Sequence, residues 1–171
     1  MVIYAFKKNG GFTYLGLLFI IALLGISLAL AGTLYSFAQQ REKERQLLFV
    51  GNQFKQAISL YYQHSPGTVK RYPMRLEDLL QDNRFVNLQR YLRKIYIDPI
   101  TKTQDWGIVK APDGGVMGIY SLSTDKALKT ANFDLYNLEL ENKTRYSDWQ
   151  FTYENTEGLL QNGAKGSHNP L

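Results

Sequence analysis

Cysteine is absent from the chain. That excludes a disulfide framework, a thiolate metal site and a cysteine nucleophile, and it leaves the redox compartment open. The only histidines are His64 and His168, and neither has a motif partner, so a transition-metal centre has no ligand set. Gly114-Gly115 is too short for a phosphate-binding loop and reads as a hairpin turn. Glu77 and Asp78 are adjacent, diverge on a helix and make no acid–base pair. Asn142-Lys143-Thr144 matches a glycosylation acceptor, but such triplets are common by chance. Nothing in this inventory argues for catalysis, and no cofactor or metal is expected. Two further absences are positional. No residue from Phe12 to Gln40 is charged, and no proline occurs between Phe12 and Ser65.

At 171 residues the chain allows one modest domain plus an anchor. The uncharged stretch from Phe12 to Gln40 exceeds the ~20 residues that cross a hydrocarbon core as helix. Three readings of it stand side by side. As a secretory signal peptide, Lys7 and Lys8 form the basic region and Ala29-Leu30-Ala31 the cleavage pattern, although the apolar run continues through Leu34, Tyr35, Phe37 and Ala38. As a plain transmembrane anchor, Lys7 and Lys8 hold the N-terminus in the cytoplasm. The cluster Arg41-Glu42-Lys43-Glu44-Arg45 is nearly charge-balanced and opposes that orientation only weakly. The third reading keeps the anchor and adds processing.

The third reading rests on a resemblance. Lys7-Lys8-Asn9-Gly10-Gly11-Phe12-Thr13-Tyr14-Leu15 resembles the leader of type IV prepilins: short, basic, ending in glycine, followed by Phe-Thr and a long apolar helix. The resemblance implies cleavage by a prepilin peptidase between Gly11 and Phe12 and N-methylation of Phe12. It implies other pilin-like subunits and an inner-membrane assembly platform as partners. The family usually carries a glutamate at the fifth mature position, where this chain has Gly16. Tip or minor pseudopilins are the members that tend to lack it, so Gly16 points to a minor or tip subunit. The stretch Tyr72-Pro73…Leu76-Glu77-Asp78-Leu79-Leu80, Arg90-Tyr91-Leu92-Arg93-Lys94, Asp98-Pro99 and Trp106-Gly107 is similar to the major pseudopilin of type II secretion. That relative binds calcium in a late loop rich in aspartate. Here only Asp125 and Asp134 stand in the corresponding region, too thin for a hard-cation site.

Spacing adds two helix faces. Ala22, Gly25, Ala29, Gly32 and Ser36 follow one another at three, four, three, four, which places small residues along one continuous face. Between membrane helices such faces allow close backbone approach. Beyond Gln40, Leu47, Val50, Phe54, Ile58 and Tyr61 recur at helical spacing, so the helix continues as an amphipathic segment until Ser65-Pro66-Gly67 ends it.

The rest is mixed. Leu76 to Leu80 and Leu88 to Lys94 read as short helices, and Asp98-Pro99 as a turn. Trp106 to Val109, Val116 to Ser121 and Trp149 to Tyr153 read as strands, the first two joined at Pro112-Asp113-Gly114-Gly115. Asp125 to Arg145 reads as a loop with a short helix or strand. The expected fold class is α+β: a long N-terminal helix, transmembrane in its first half and amphipathic in its second, packed on a small antiparallel β-sheet. The expected division is a leader over 1–11, a transmembrane helix over 12–40, its amphipathic continuation over 41–64, a periplasmic α+β domain over 65–160 and a disordered tail over 161–171.

Net charge is +5, of which Lys7 and Lys8 contribute two. A basic stretch holds Lys70, Arg71, Arg75, Arg84, Arg90, Arg93 and Lys94 against Glu77, Asp78 and Asp82. Nucleic acid is therefore an alternative partner, as for a minor pilin of a DNA-uptake or adhesion pilus that contacts phosphate through residues 70–94. Aromatic interleaving is slight (Tyr72, Phe85, Tyr91), so base stacking is not indicated and this partner is the less favoured. A second alternative is a secreted soluble protein cleaved after Ala31.

Overall fold

The computed structural model describes residues 10–154, with side chains from Tyr14 onward. The leader residues before Gly10 and the tail from 155 lie outside the described residues. The chain divides between Gln40 and Arg41 into two units. Both share one helix, α1 (Gly10–Gln63). Its length follows from what the sequence leaves out, since no proline interrupts the run of intrahelical hydrogen bonds.

In the first unit every residue from Tyr14 to Gln39 is exposed. Its hydroxyls are satisfied within the helix: Ser27 Oγ donates to the Leu23 carbonyl, Thr33 Oγ1 to Leu30 and Ser36 Oγ to Thr33, each at 2.8 Å. A helix that serves its own polar groups in this way asks nothing of its surroundings, which is the condition for lying in hydrocarbon.

The second unit carries the core. The amphipathic stripe is buried along its whole length: Leu47, Val50, Phe54, Ile58 and Tyr61 all belong to one hydrophobic cluster. A three-stranded antiparallel sheet supplies the facing side, in the order β1 (Gly107–Lys110), β2 (Val116–Tyr120), β3 (Gln150–Thr152). Val116, Ile119 and Phe151 enter the same cluster from the strands. Trp149 and Tyr146 fill it beneath the loops. The β1–β2 turn is closed by Gly114 at φ +83°, a left-handed conformation that glycine adopts without steric penalty. Contact with β3 needs a bare backbone on the helix: an added Cβ at Gly51 would lie 2.4 Å from the Phe151 ring.

Leu76–Leu79 forms a short 3-10 helix. The helix expected over Leu88 to Lys94 does not form. Tyr91 N and Leu92 N both donate to the Leu79 carbonyl, and Asp82 pairs with Gln89 in an isolated antiparallel bridge. Those donors serve a distant segment and are lost to a local helix. The stretch from Asp125 to Arg145 resolves into a 3-10 helix, Leu135–Leu140, kinked at Asn137, and a bridge between Lys126 and Arg145.

Candidate functional site

The sequence placed the functional residues in the N-terminal third, and the backbone there is uniform helix. Gly11 and Phe12 lie in the first turns of α1, whose helical geometry begins at Gly10. Gly16 follows, with nothing within 4 Å of where a Cβ would stand. The same holds for Gly25 and Gly32. With Ala22, Ala29 and Ser36, also exposed, they form a face of small residues that no other part of the described chain covers. The rest of the helix surface is apolar and bare; Leu28 is 73% exposed and Leu34 71%. A surface of this extent far exceeds the apolar patches that monomers in water tolerate. Among the described residues this is the one helix long and apolar enough to cross a membrane. The site is thus a bare apolar helix surface with the length and composition of a membrane-crossing helix.

The second unit contains the charged constellations. Glu44, read in the sequence as one member of a balanced charge cluster, is buried. Its Oε1 accepts the Leu128 N–H at 2.5 Å, the Tyr146 hydroxyl at 2.9 Å and the Lys129 N–H at 3.4 Å. It thus ties the start of the amphipathic segment to two loops far away in sequence. No local pattern announces this, because the donors lie more than eighty residues downstream.

Asp82 and Arg84 form an ion pair whose carboxylate is buried and whose guanidinium is half-buried. Arg84 Nε donates to Asp82 Oδ1 at 2.8 Å and its Nη2 to Oδ2 at 2.7 Å. The same guanidinium donates to the Tyr61 carbonyl at 2.9 Å and to Ser65 Oγ at 2.8 Å, and lies 3.5 Å over the Tyr61 ring. Lys70 Nζ donates to the Gln63 carbonyl at 2.6 Å. These cations answer the unpaired carbonyls and the negative dipole end at the C-terminus of α1. Burial pushes the Asp82 carboxyl up, but its hydrogen bonds and charge attraction to Arg84 outweigh that and leave it below the usual carboxylate range. Burial raises the Tyr61 and Tyr91 hydroxyls.

Of the cations in the basic stretch only Arg84 is half-buried; Lys70 and Arg90 are exposed but bond backbone carbonyls. Arg84 and Lys70 hold the helix end, and Arg90 Nε donates to the Leu80 carbonyl at 3.1 Å. Arg71, Arg75, Arg93 and Lys94 are exposed. Asp98, read as a turn marker, is fully buried; Ser121 Oγ donates to its Oδ2 at 2.6 Å and Ile100 N–H to its Oδ1 at 2.8 Å. Asp125 and Asp134 stand apart from any cluster of metal-ligating side chains among the described residues. The chain matches no protein-family model, no curated protein and no solved structure.

Proposed function

We propose that the chain is a pilin-like structural subunit, a minor or tip pseudopilin of a type II secretion system or a related type IV filament. In this reading prepilin peptidase cleaves between Gly11 and Phe12, and the new N-terminus is methylated. The subunit is held in the bacterial inner membrane as a single-pass protein, its N-terminus cytoplasmic and its C-terminal domain periplasmic, until an assembly platform extracts it into a filament. The observation that carries the reading is one helix with two contrasting parts. From Tyr14 to Gln39 it is bare and apolar, while from Leu47 to Tyr61 it supplies the central stripe of a domain core. A subunit that exchanges lipid for neighbouring helices needs that division. The uncovered face of Ala22, Gly25, Ala29, Gly32 and Ser36 is where such neighbours would approach.

The DNA-binding alternative is the less favoured: Arg84 is held in its pair with Asp82, and Lys70 and Arg90, though exposed, each spend a donor on a backbone carbonyl. The test is the mass of the mature N-terminus in the native host. A methylated Phe12 is expected. A terminus at Gly32 would sink the proposal in favour of signal-peptide cleavage after Ala31.

A further inference from the structure

On the outward side of α1 in the second unit, Gln46, Phe49, Gln53, Gln56, Leu60 and Gln63 follow one another at three, four, three, four, three. That spacing sets them in one stripe along the helix. Gln46, Phe49, Gln56 and Gln63 are exposed, and Gln53 and Leu60 are half-buried. Phe49 leaves 59% of its surface in water. None of the six is charged, although the solvent face of a helix ordinarily is. The central amides, Gln53 and Gln56, bond nothing else among the described residues, while Gln46 and Gln63 at the ends bond Glu42 and Ser59.

Such a stripe suits a second copy of itself. A face of one charge sign repels its own copy, whereas a neutral amide carries donors and an acceptor and can pair with an identical amide. The three–four spacing is that of a seam along which a parallel helix stays in contact over several turns. Counted back from Gln46 in steps of seven, the same seam position falls on Gln39, Gly32 and Gly25, and the two glycines belong to the small-residue face. A left-handed helix pair that meets at the stripe therefore turns those glycines toward the partner as well. Size decides where pairing occurs. At ~1.5 Å per residue the stripe is ~25 Å long, and a strip ~10 Å wide buries roughly 500 Å² over both partners, below the ~1,000 Å² of a stable complex. Two detached domains would not stay together on it. Copies whose apolar helices cross one membrane in the same direction are held parallel and at high effective concentration.

We propose that two copies of the chain pair in parallel along residues 46–63 while they share a membrane, Gln53 facing Gln53 and Phe49 packing on Phe49. The pairing rests on the membrane-held reading given above and adds to it a partner and a contact face in the second unit.

Because the chain has no cysteine, a single introduced thiol can link only to its own copy. Full-length Gln53→Cys is reconstituted in vesicles of phosphatidylethanolamine and phosphatidylglycerol and oxidised mildly. Gln81→Cys, exposed and off the helix, is the reference for random collision. Disulfide-linked dimer is expected to form at least about tenfold faster from Gln53→Cys, since pairing raises the effective concentration of the two thiols. Adding Phe49→Glu sets two carboxylates against each other at an exposed position, and the rate is expected to fall to the Gln81→Cys level. Alkaline extraction of the same vesicles separates the two readings. If the chain is released, the membrane reading fails and the pairing with it. If the chain stays and Gln53→Cys links no faster than Gln81→Cys, or if Phe49→Glu leaves the rate unchanged, the pairing alone is overturned.

Discussion

A carboxylate taken out of water must be given donors, and Glu44 has them from two adjacent N–H groups of one loop and a tyrosine hydroxyl. Replacing it by glutamine keeps the shape and an accepting oxygen but removes the charge that strengthens the three bonds. Charge-assisted hydrogen bonds are about twice as strong as neutral ones. Glu44→Gln is therefore expected to destabilise the second unit by about 2 kcal/mol, read from the urea midpoint at unchanged slope. A change under about 0.5 kcal/mol would mean that the three contacts carry little weight. Asp82 makes a prediction in pH. Its folded carboxyl lies below its unfolded value, ~3.9, so the stabilisation is present above that value and is lost as pH falls through the folded one. At neutral pH Asp82→Asn is expected to cost about 3 kcal/mol, because it leaves the Arg84 guanidinium without its counter-charge. On acidification below about pH 4 the gap between parent and variant melting temperatures should narrow. Parallel melting curves down to pH 2 would exclude this account.

At the scale of elements, the helix and the third strand meet at a point where one atom too many would force them apart. In an open helix, glycine to alanine stabilises by roughly 1 kcal/mol. At Gly51 the new methyl would fall 2.4 Å from ring atoms of Phe151, which is itself fully buried. Overpacking of that kind costs about 1–3 kcal/mol. Gly51→Ala should therefore be destabilising by about 1–2 kcal/mol, and in a Phe151→Leu background the same change should be neutral or favourable. Equal effects in both backgrounds would rule out the steric account. The long helix, its stripe and the hairpin were legible beforehand, because Leu47 through Tyr61 repeat at helical spacing and Pro112 to Gly115 carries its own turn chemistry. Leu88 to Lys94 was misread because Leu88, Tyr91 and Leu92 have helical spacing, while the acceptor that decides their backbone lies at Leu79. Glu44, Asp82 and Asp98 were visible as charges, but their burial depends on partners at Tyr146, Arg84 and Ser121 that folding alone brings near. Asn137 gives no local signal for the same reason, since its burial depends on a backbone kink in a segment with no clear periodicity.

For the whole molecule, the two units make opposite demands on solvent. Residues 14–39 leave their apolar side chains exposed, whereas every member of the hydrophobic cluster lies beyond Arg41. Membrane affinity should therefore reside in the first unit and folding cooperativity in the second. A chain beginning at Arg41 retains the stripe, the sheet, the Glu44 contacts and the Asp82–Arg84 pair. Expressed with a periplasmic signal, it is expected to appear in the soluble fraction and to unfold in one cooperative transition. The full chain should stay with membranes after alkaline carbonate extraction, because an apolar helix of this length is not removed by raising pH. Gly25→Glu should weaken that retention only modestly, since a charge at mid-helix carries an insertion cost of about 2.5–3.5 kcal/mol against many apolar residues. If the chain is the filament subunit proposed above, the same substitution should abolish incorporation into sheared filaments, because it places an unpaired carboxylate on the small-residue face. If Gly25→Glu enters filaments as readily as the parent while remaining membrane-bound, subunit contacts lie on another face of α1. If the Arg41 fragment itself stays with membranes, the division of labour between the two units is wrong.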